Sequence, residues 1–214
     1  MFEENAAGVL PPLVERLTVL CRVALPDSSV IVHGSLALGD YSADTSDLDL
    51  LVLSDAPTDG FVEAVQAEWT HHPMNLDLRV VARDVAAAPS RMPRMRLYVG
   101  VHNGQSEVAR DIGEPDLVVE FSVCRQLGHT ELIGPVPDEW VDEVGAAVLD
   151  RWKEIGYDPP HQELMALTAC RIWQYREERL HTSKAAAAEW ARRQAAHVAY
   201  DAASVMSLLE RATA

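Results

Sequence analysis

Apolar positions across residues 8–25 (Leu10, Leu13, Val14, Leu17, Cys21, Ala24) recur at helical spacing, which predicts an amphipathic helix packed on a sheet. Pro26-Asp27-Ser28-Ser29 ends it, and the pattern then changes to short apolar runs. Val30–Val32 stops at Gly34-Ser35, and Leu48–Leu53 is opened by Asp47-Leu48-Asp49. Such runs bounded by Gly, Ser and Asp read as buried strands. Ser54 to Asp59 reads as a loop, Phe61 to Trp69 as a second helix broken at His71-His72-Pro73, and residues 76–81 as a third strand. Its alternation places Asp77 and Arg79 on one face. Pro89 and Pro93, with Arg91, Arg94 and Arg96, predict an irregular basic segment near the expected cleft, either touching phosphate or lying as a surface loop. Residues 115–128 read as a helix and His129–Ile133 as a short strand. Gly134-Pro135-Val136-Pro137 is the strongest break in the chain. Beyond it the period is helical, near 138–154, 160–178, 183–195 and 197–212, with Pro160 at a helix start. Two domains are expected, an α/β (α+β) half over 1–135 and an all-α half over 136–214.

Composition narrows the classes of function. With 214 residues and 48% hydrophobic content, a sizeable core is assured. The net charge of −15, from 33 acidic and 18 basic residues, argues against a broad nucleic-acid or anionic-membrane footprint. It suits a small cationic substrate, and it serves solubility equally well. Cys21, Cys124 and Cys170 lie far apart in apolar or helical pattern, so they read as reduced core thiols of a cytoplasmic protein. The Met-Phe-Glu-Glu-Asn start lacks the basic stretch of a signal peptide, and no uncharged run reaches the roughly 18–20 residues of a membrane span.

The chemistry is concentrated in residues 30–53. In a strand, residues two apart share a face, so Asp47 and Asp49 aim their carboxylates at one spot. Like charges that close call for a cation, and Mg²⁺ held by one or two carboxylates plus substrate phosphates is the usual case. Gly34 lets the backbone approach a phosphate, and the Ser35 hydroxyl with nearby N–H groups can bind its oxygens. The pair His71-His72 has no carboxylate or thiol partner at ligand spacing and reads as loop histidines.

A hydrophobic strand, Gly34-Ser35, a short helical spacer, then Asp47-x-Asp49 on the next strand resembles the signature of the nucleotidyltransferase superfamily. In the helical half, Leu167-Thr168-Ala169-Cys170-Arg171-Ile172-Trp173, Thr182-Ser183-Lys184 and Ala187-Ala188-Glu189-Trp190 resemble the C-terminal domain of the streptomycin/spectinomycin adenylyltransferases. The resemblance implies a mixed sheet with flanking helices, followed by a helical bundle. It implies two Mg²⁺ ions on Asp47 and Asp49, with Asp77 as third carboxylate and general base where the family usually has Glu. ATP would be the co-substrate, with Gly34, Ser35, Arg171 and Lys184 on its phosphates. Trp152 falls where such enzymes carry a drug-stacking Trp, with Asp158 close behind, and His161 aligns with an acidic acceptor contact, so these three are the implied acceptor residues; the family's cleft Trp has no counterpart in Tyr98–Asn103.

The activity implied is transfer of AMP to a hydroxyl of a small, cationic molecule such as an aminoglycoside, by a monomer. Enzymes of the same superfamily modify proteins or tRNA ends, including antitoxin-type members, and a catalytically inactive nucleotide-binding sensor is the reading from another class. The acidic composition weighs against tRNA, and the intact Asp47/Asp49 pair weighs against the sensor.

Overall fold

The computed structural model describes residues 3–42, 46–69, 72 and 74–213, with side chains from residue 12 onward. Helix α1 (Glu3–Ala24) begins earlier than the apolar spacing predicts and leads into strand β1 (Ser29–Val32). A short helix α2 (Gly34–Ala37) precedes β2 (Asp47–Leu53), followed by α3 (Phe61–Trp69), β3 (Asn75–Val81) and the short α4 (Arg83–Ala87). Strands β4 (Arg94–His102) and β5 (Gln105–Gly113) form a hairpin, and α5 (Asp116–Gln126) follows. The remainder is helical: α6 (Asp138–Ile155), α7 (Gln162–Glu178), α8 (Lys184–Arg193) and α9 (Ala202–Thr213), with a 3₁₀ turn at Pro159–His161.

The five strands lie in the order β1-β2-β3-β4-β5. β2 and β3 are parallel and the other pairs antiparallel, so the sheet is mixed. Alternation sorts its faces. Leu48, Leu50 and Val52 of β2, Leu76, Leu78 and Val80 of β3, and Leu97, Val99 and Val101 of β4 pack with Leu13, Leu17 and Cys21 of α1 and Phe61, Val65 and Trp69 of α3. Each such side chain is buried, and each contributes about 1.5–3 kcal/mol. Trp69 also places its polar edge, donating from Nε1 to the Met74 carbonyl at 2.7 Å.

The opposite face is covered over only part of its length. Leu51, Leu53 and Val81 meet Leu117, Phe121 and Cys124, which α5 supplies. The other side of α5 turns Val118 toward Val141 of α6 and Tyr175 of α7. The helical half has its own core, in which Met165, Ala169 and Cys170 of α7 pack with Trp190 and Ala191 of α8 and Leu208 and Leu209 of α9. All three cysteines are buried free thiols. No helix among the described residues is long and apolar enough to cross a membrane.

Several local expectations are corrected. His129–Ile133 is a turn, not a strand: the Ile133 N–H returns to the His129 carbonyl at 3.1 Å, and Ile133 alone of its apolar side chains is fully buried. The basic segment is not irregular beyond Pro93, because Arg94 and Arg96 lie on β4. Arg96 donates to the carbonyls of Ser54 and Ala56, each at 2.8 Å, just past the C-terminal end of β2 and away from its carboxylates. Arg91 pairs with Glu143. The last helix starts at Ala202 rather than near 197. His72 stacks on Trp69 with ring centroids 4.7 Å apart, and His71 lies outside the described residues.

Candidate active site

The site follows from the alternation of β2. Because Leu48, Leu50 and Val52 face the α1/α3 core, Asp47, Asp49, Leu51 and Leu53 must face the other way. α5 covers Leu51 and Leu53, leaving the two carboxylates at the open end. β3 runs parallel in a register that sets Asp49 opposite Asp77. Three carboxylates therefore converge on one end of one sheet face.

Gly34 is fitted against them. Its φ is +62°, and a Cβ there would stand 1.8 Å from Asp49 Oδ2, so only glycine lets the turn and the carboxylate share this space. The turn is tied down by the His33 N–H, which donates to the Asp49 carbonyl at 3.2 Å. Ser35 Oγ is buried without a hydrogen-bond partner among the described residues. A buried hydroxyl left unpaired costs about 1–3 kcal/mol, and a phosphate oxygen is the kind of acceptor that removes the cost.

Electrostatics favour a cation here. Burial, with Asp77 and Asp47 close by, pushes the Asp49 carboxyl up to about 7. No three His, Cys, Asp or Glu side chains among the described residues form a ready-made metal cage. Mg²⁺ does not need one, since it keeps waters and binds one or two carboxylates plus phosphate oxygens. The all-oxygen donor set and the cradle at Gly34 fit that ion.

Two residues beside Asp77 escaped sequence reasoning. Tyr98 donates its hydroxyl to Asp77 Oδ1, which together with burial raises the phenol's pKa. His102 Nε2 lies 3.3 Å from Asp77 Oδ1, and its Nδ1 lies 3.7 Å from Asp47 Oδ1. Both stand on β4 at even positions, flanking Gly100, and the hydrophobic alternation of Leu97, Val99 and Val101 was the signal that would have found them. Arg79, which shares the Asp77 face of β3, meets Glu120 of α5, with Nη1 2.9 Å from Oε1.

The helical half closes the site from the far side. Arg171 of α7 stands near Asp49 and Asp40, which oppose the lowering of its pKa by burial. Lys184 opens α8 and has no ion-pair partner among the described residues. The next residue, Ala185, donates its N–H to Asp40 Oδ2 at 3.0 Å, joining the signature loop to the start of α8. Beside Arg171 lies a cavity of about 260 Å³, lined by Val119 and Glu120 of α5, Val141 and Gly145 of α6, and Ile172 of α7.

The expected acceptor residues lie apart from this cluster. Trp152 packs against the α7–α9 core. Asp158 and His161 pair with each other at 2.7 Å on the turn before α7. None of the three lines the cavity.

Residues 16–103 match the family model of the nucleotidyltransferase domain, over the stretch that holds the Gly34 turn and all three carboxylates. That stretch carries a nucleotidyltransferase domain. Residues 131–211 match a second model, the aminoglycoside adenylyltransferase C-terminal domain, which takes in Arg171 and Lys184. Its fold is that of spectinomycin adenyltransferase AAD(9) from Enterococcus faecialis, solved with ATP and spectinomycin. The TM-score is 0.68 at 15% identity, over 95% of this chain and 99% of that one. No curated protein matches the sequence.

Proposed function

We propose that this nucleotidyltransferase transfers AMP from Mg-ATP to a hydroxyl of a small cationic acceptor of the aminoglycoside class and releases pyrophosphate. The observation that carries the reading is the convergence of Asp47, Asp49 and Asp77 on one side of a cleft whose other side supplies Arg171 and Lys184. The second family model supports adenylyl transfer to an aminoglycoside. The AAD(9) structure, which holds ATP and spectinomycin, supports the same pair of substrates. The charge of −15 suits a cationic acceptor and repels RNA.

Asp47, Asp49 and Asp77 would hold Mg²⁺, which when bound offsets triphosphate charge and keeps attacking and leaving oxygens in line. Gly34 and Ser35 seat the terminal phosphates, and the cavity beside Arg171 takes the base. Asp77 accepts the proton from the acceptor hydroxyl as its oxygen bonds to the α-phosphorus. The bond from that phosphorus to the β-bridging oxygen breaks, and Arg171 and Lys184 take up charge on the departing pyrophosphate. Tyr98 and His102 flank Asp77 and fix its orientation.

The test is pyrophosphate release from ATP, GTP, CTP and UTP with Mg²⁺, across aminoglycosides and other polyhydroxylated amines. Acceptor-dependent release from ATP, with a product heavier by one AMP, is expected. Release that no acceptor stimulates would overturn the assignment.

A further inference from the structure

Behind the carboxylates lies a buried ionic pair that the mechanism does not use. The Arg79 side chain is 15% exposed and that of Glu120 is 13% exposed, and they meet at 2.9 Å. Arg79 is two residues from Asp77 on β3, with its guanidinium carbon 5.2 Å from the centre of the Tyr98 ring. Tyr98 in turn donates to Asp77. Arg79 Nε and Glu120 Oε2 are buried with no hydrogen-bond partner among the described residues, so this pair is held by one strong contact. His33 Nε2 lies 3.7 Å from Glu120 Oε2.

We infer that Glu120 is a positioning residue that holds Arg79 back from the catalytic carboxylates and so keeps them open to a divalent cation. A guanidinium cannot shed its charge, and a buried charge left without a partner is costly. Besides Glu120, the carboxylates that act on Arg79 are Asp77 and Asp49, the two that face each other across β2 and β3. Without Glu120, Arg79 turns to them and competes with the metal. The same pairing fixes the cation under the Tyr98 ring and hence the hydroxyl that orients Asp77. α5 carries Glu120 here because its other buried residues, Leu117, Phe121 and Cys124, dock on the same sheet face.

The inference rests on the nucleotidyl-transfer reading, and metal binding tests it without relying on turnover. Mn²⁺ bound to the ATP complex is titrated by electron paramagnetic resonance in the wild type, Glu120→Gln, Glu120→Asp and the double variant Glu120→Gln/Arg79→Gln, with thermal unfolding as a control. Glu120→Gln should weaken Mn²⁺ by roughly tenfold, a change worth about 1.4 kcal/mol. The double variant should recover wild-type affinity, because the competing cation is gone. Glu120→Asp keeps the charge and should stay within about threefold of wild type. Unchanged binding in Glu120→Gln, or a double variant as weak as the single, would overturn the inference. Should Glu120→Gln fail to fold, the Glu120→Asp and double variants decide, and weak binding in both overturns it. Wild-type protein that binds Mn²⁺ no better than Asp49→Asn would instead strike at the nucleotidyl-transfer reading itself.

Discussion

Gly34→Ala tests the fit between the signature turn and the carboxylates. The added Cβ meets Asp49 Oδ2 at 1.8 Å and Asp49 Cγ at 2.6 Å, distances no real structure sustains. The backbone at φ +62° adds about 1–2 kcal/mol for a non-glycine residue. The fold can absorb that amount, because the core of α1, α3 and the sheet is untouched. Asp49 cannot stay where it is, and it must rotate away from Asp47 and Asp77. We therefore expect a variant that folds, with its unfolding free energy lowered by about 1–3 kcal/mol. Nucleotidyl transfer should fall by at least about 10²-fold, equivalent to about 2.7 kcal/mol of transition-state stabilisation. Chemical denaturation, pyrophosphate release and Mn²⁺ titration on one preparation separate the two effects. Turnover within a few-fold of wild type, with metal affinity unchanged, would refute the close packing of Gly34 on Asp49 as the reason for glycine.

Other expectations follow from the same geometry. Asp77→Asn removes basicity and preserves shape, so Mg-ATP binding should be largely retained while kcat falls by roughly 10²-fold or more; Asp77→Glu should keep much of the activity, and equal rates in wild type and the Asn variant would leave the base unidentified. Lys184→Ala should raise KM for Mg-ATP by roughly tenfold through lost phosphate attraction, with thermal stability unchanged; unaltered KM and kcat would make it a surface lysine. Burial, with Arg171 nearby, lowers the His181 pKa from 6.5 to about 4, so between those values the unfolded chain binds a proton that the folded protein refuses. Stability should fall as pH drops through this window, by roughly 3 kcal/mol at its lower end. Glu120 and Asp49 push the other way in wild type, so the measurement is the difference between wild type and His181→Gln from pH 7 to 4; a constant difference contradicts the assignment.

The carboxylate-bearing face was legible because strand period and chemistry reinforce each other. Asp47-Leu48-Asp49 opening an apolar run fixes both the strand and the face of its carboxylates, and the same logic placed Asp77. Strands β4 and β5 were harder. β5 is exposed over almost its whole length, so burial imposes no alternation there, and Pro89, Pro93 and the arginines before it suggested disorder of pattern. The hairpin was nonetheless signalled by Asn103-Gly104, whose positive φ values of 51° and 74° are those a tight two-residue turn demands. Missing β4 meant missing Tyr98 and His102. The partner of Arg79 was not legible either: Glu120 lies far along the chain on α5, and strand alternation shows only that Arg79 shares a face with Asp77. Trp152, read from a family position, packs its partly buried indole on the helical core, a placement that helix period alone does not reveal.

The central claim is that Asp47, Asp49 and Asp77 form a metal-dependent nucleotidyl-transfer centre. Asp49 tests it most directly, being partly buried, touching the Gly34 turn and facing Asp77 across the parallel strands. The measurement is acceptor-stimulated pyrophosphate release from Mg-ATP by Asp49→Asn beside wild type, each with and without excess chelator, with folding checked by thermal unfolding. The account predicts a folded variant with no transfer above background and wild-type activity abolished by the chelator. Full turnover by Asp49→Asn, or by wild type in excess chelator, would contradict it.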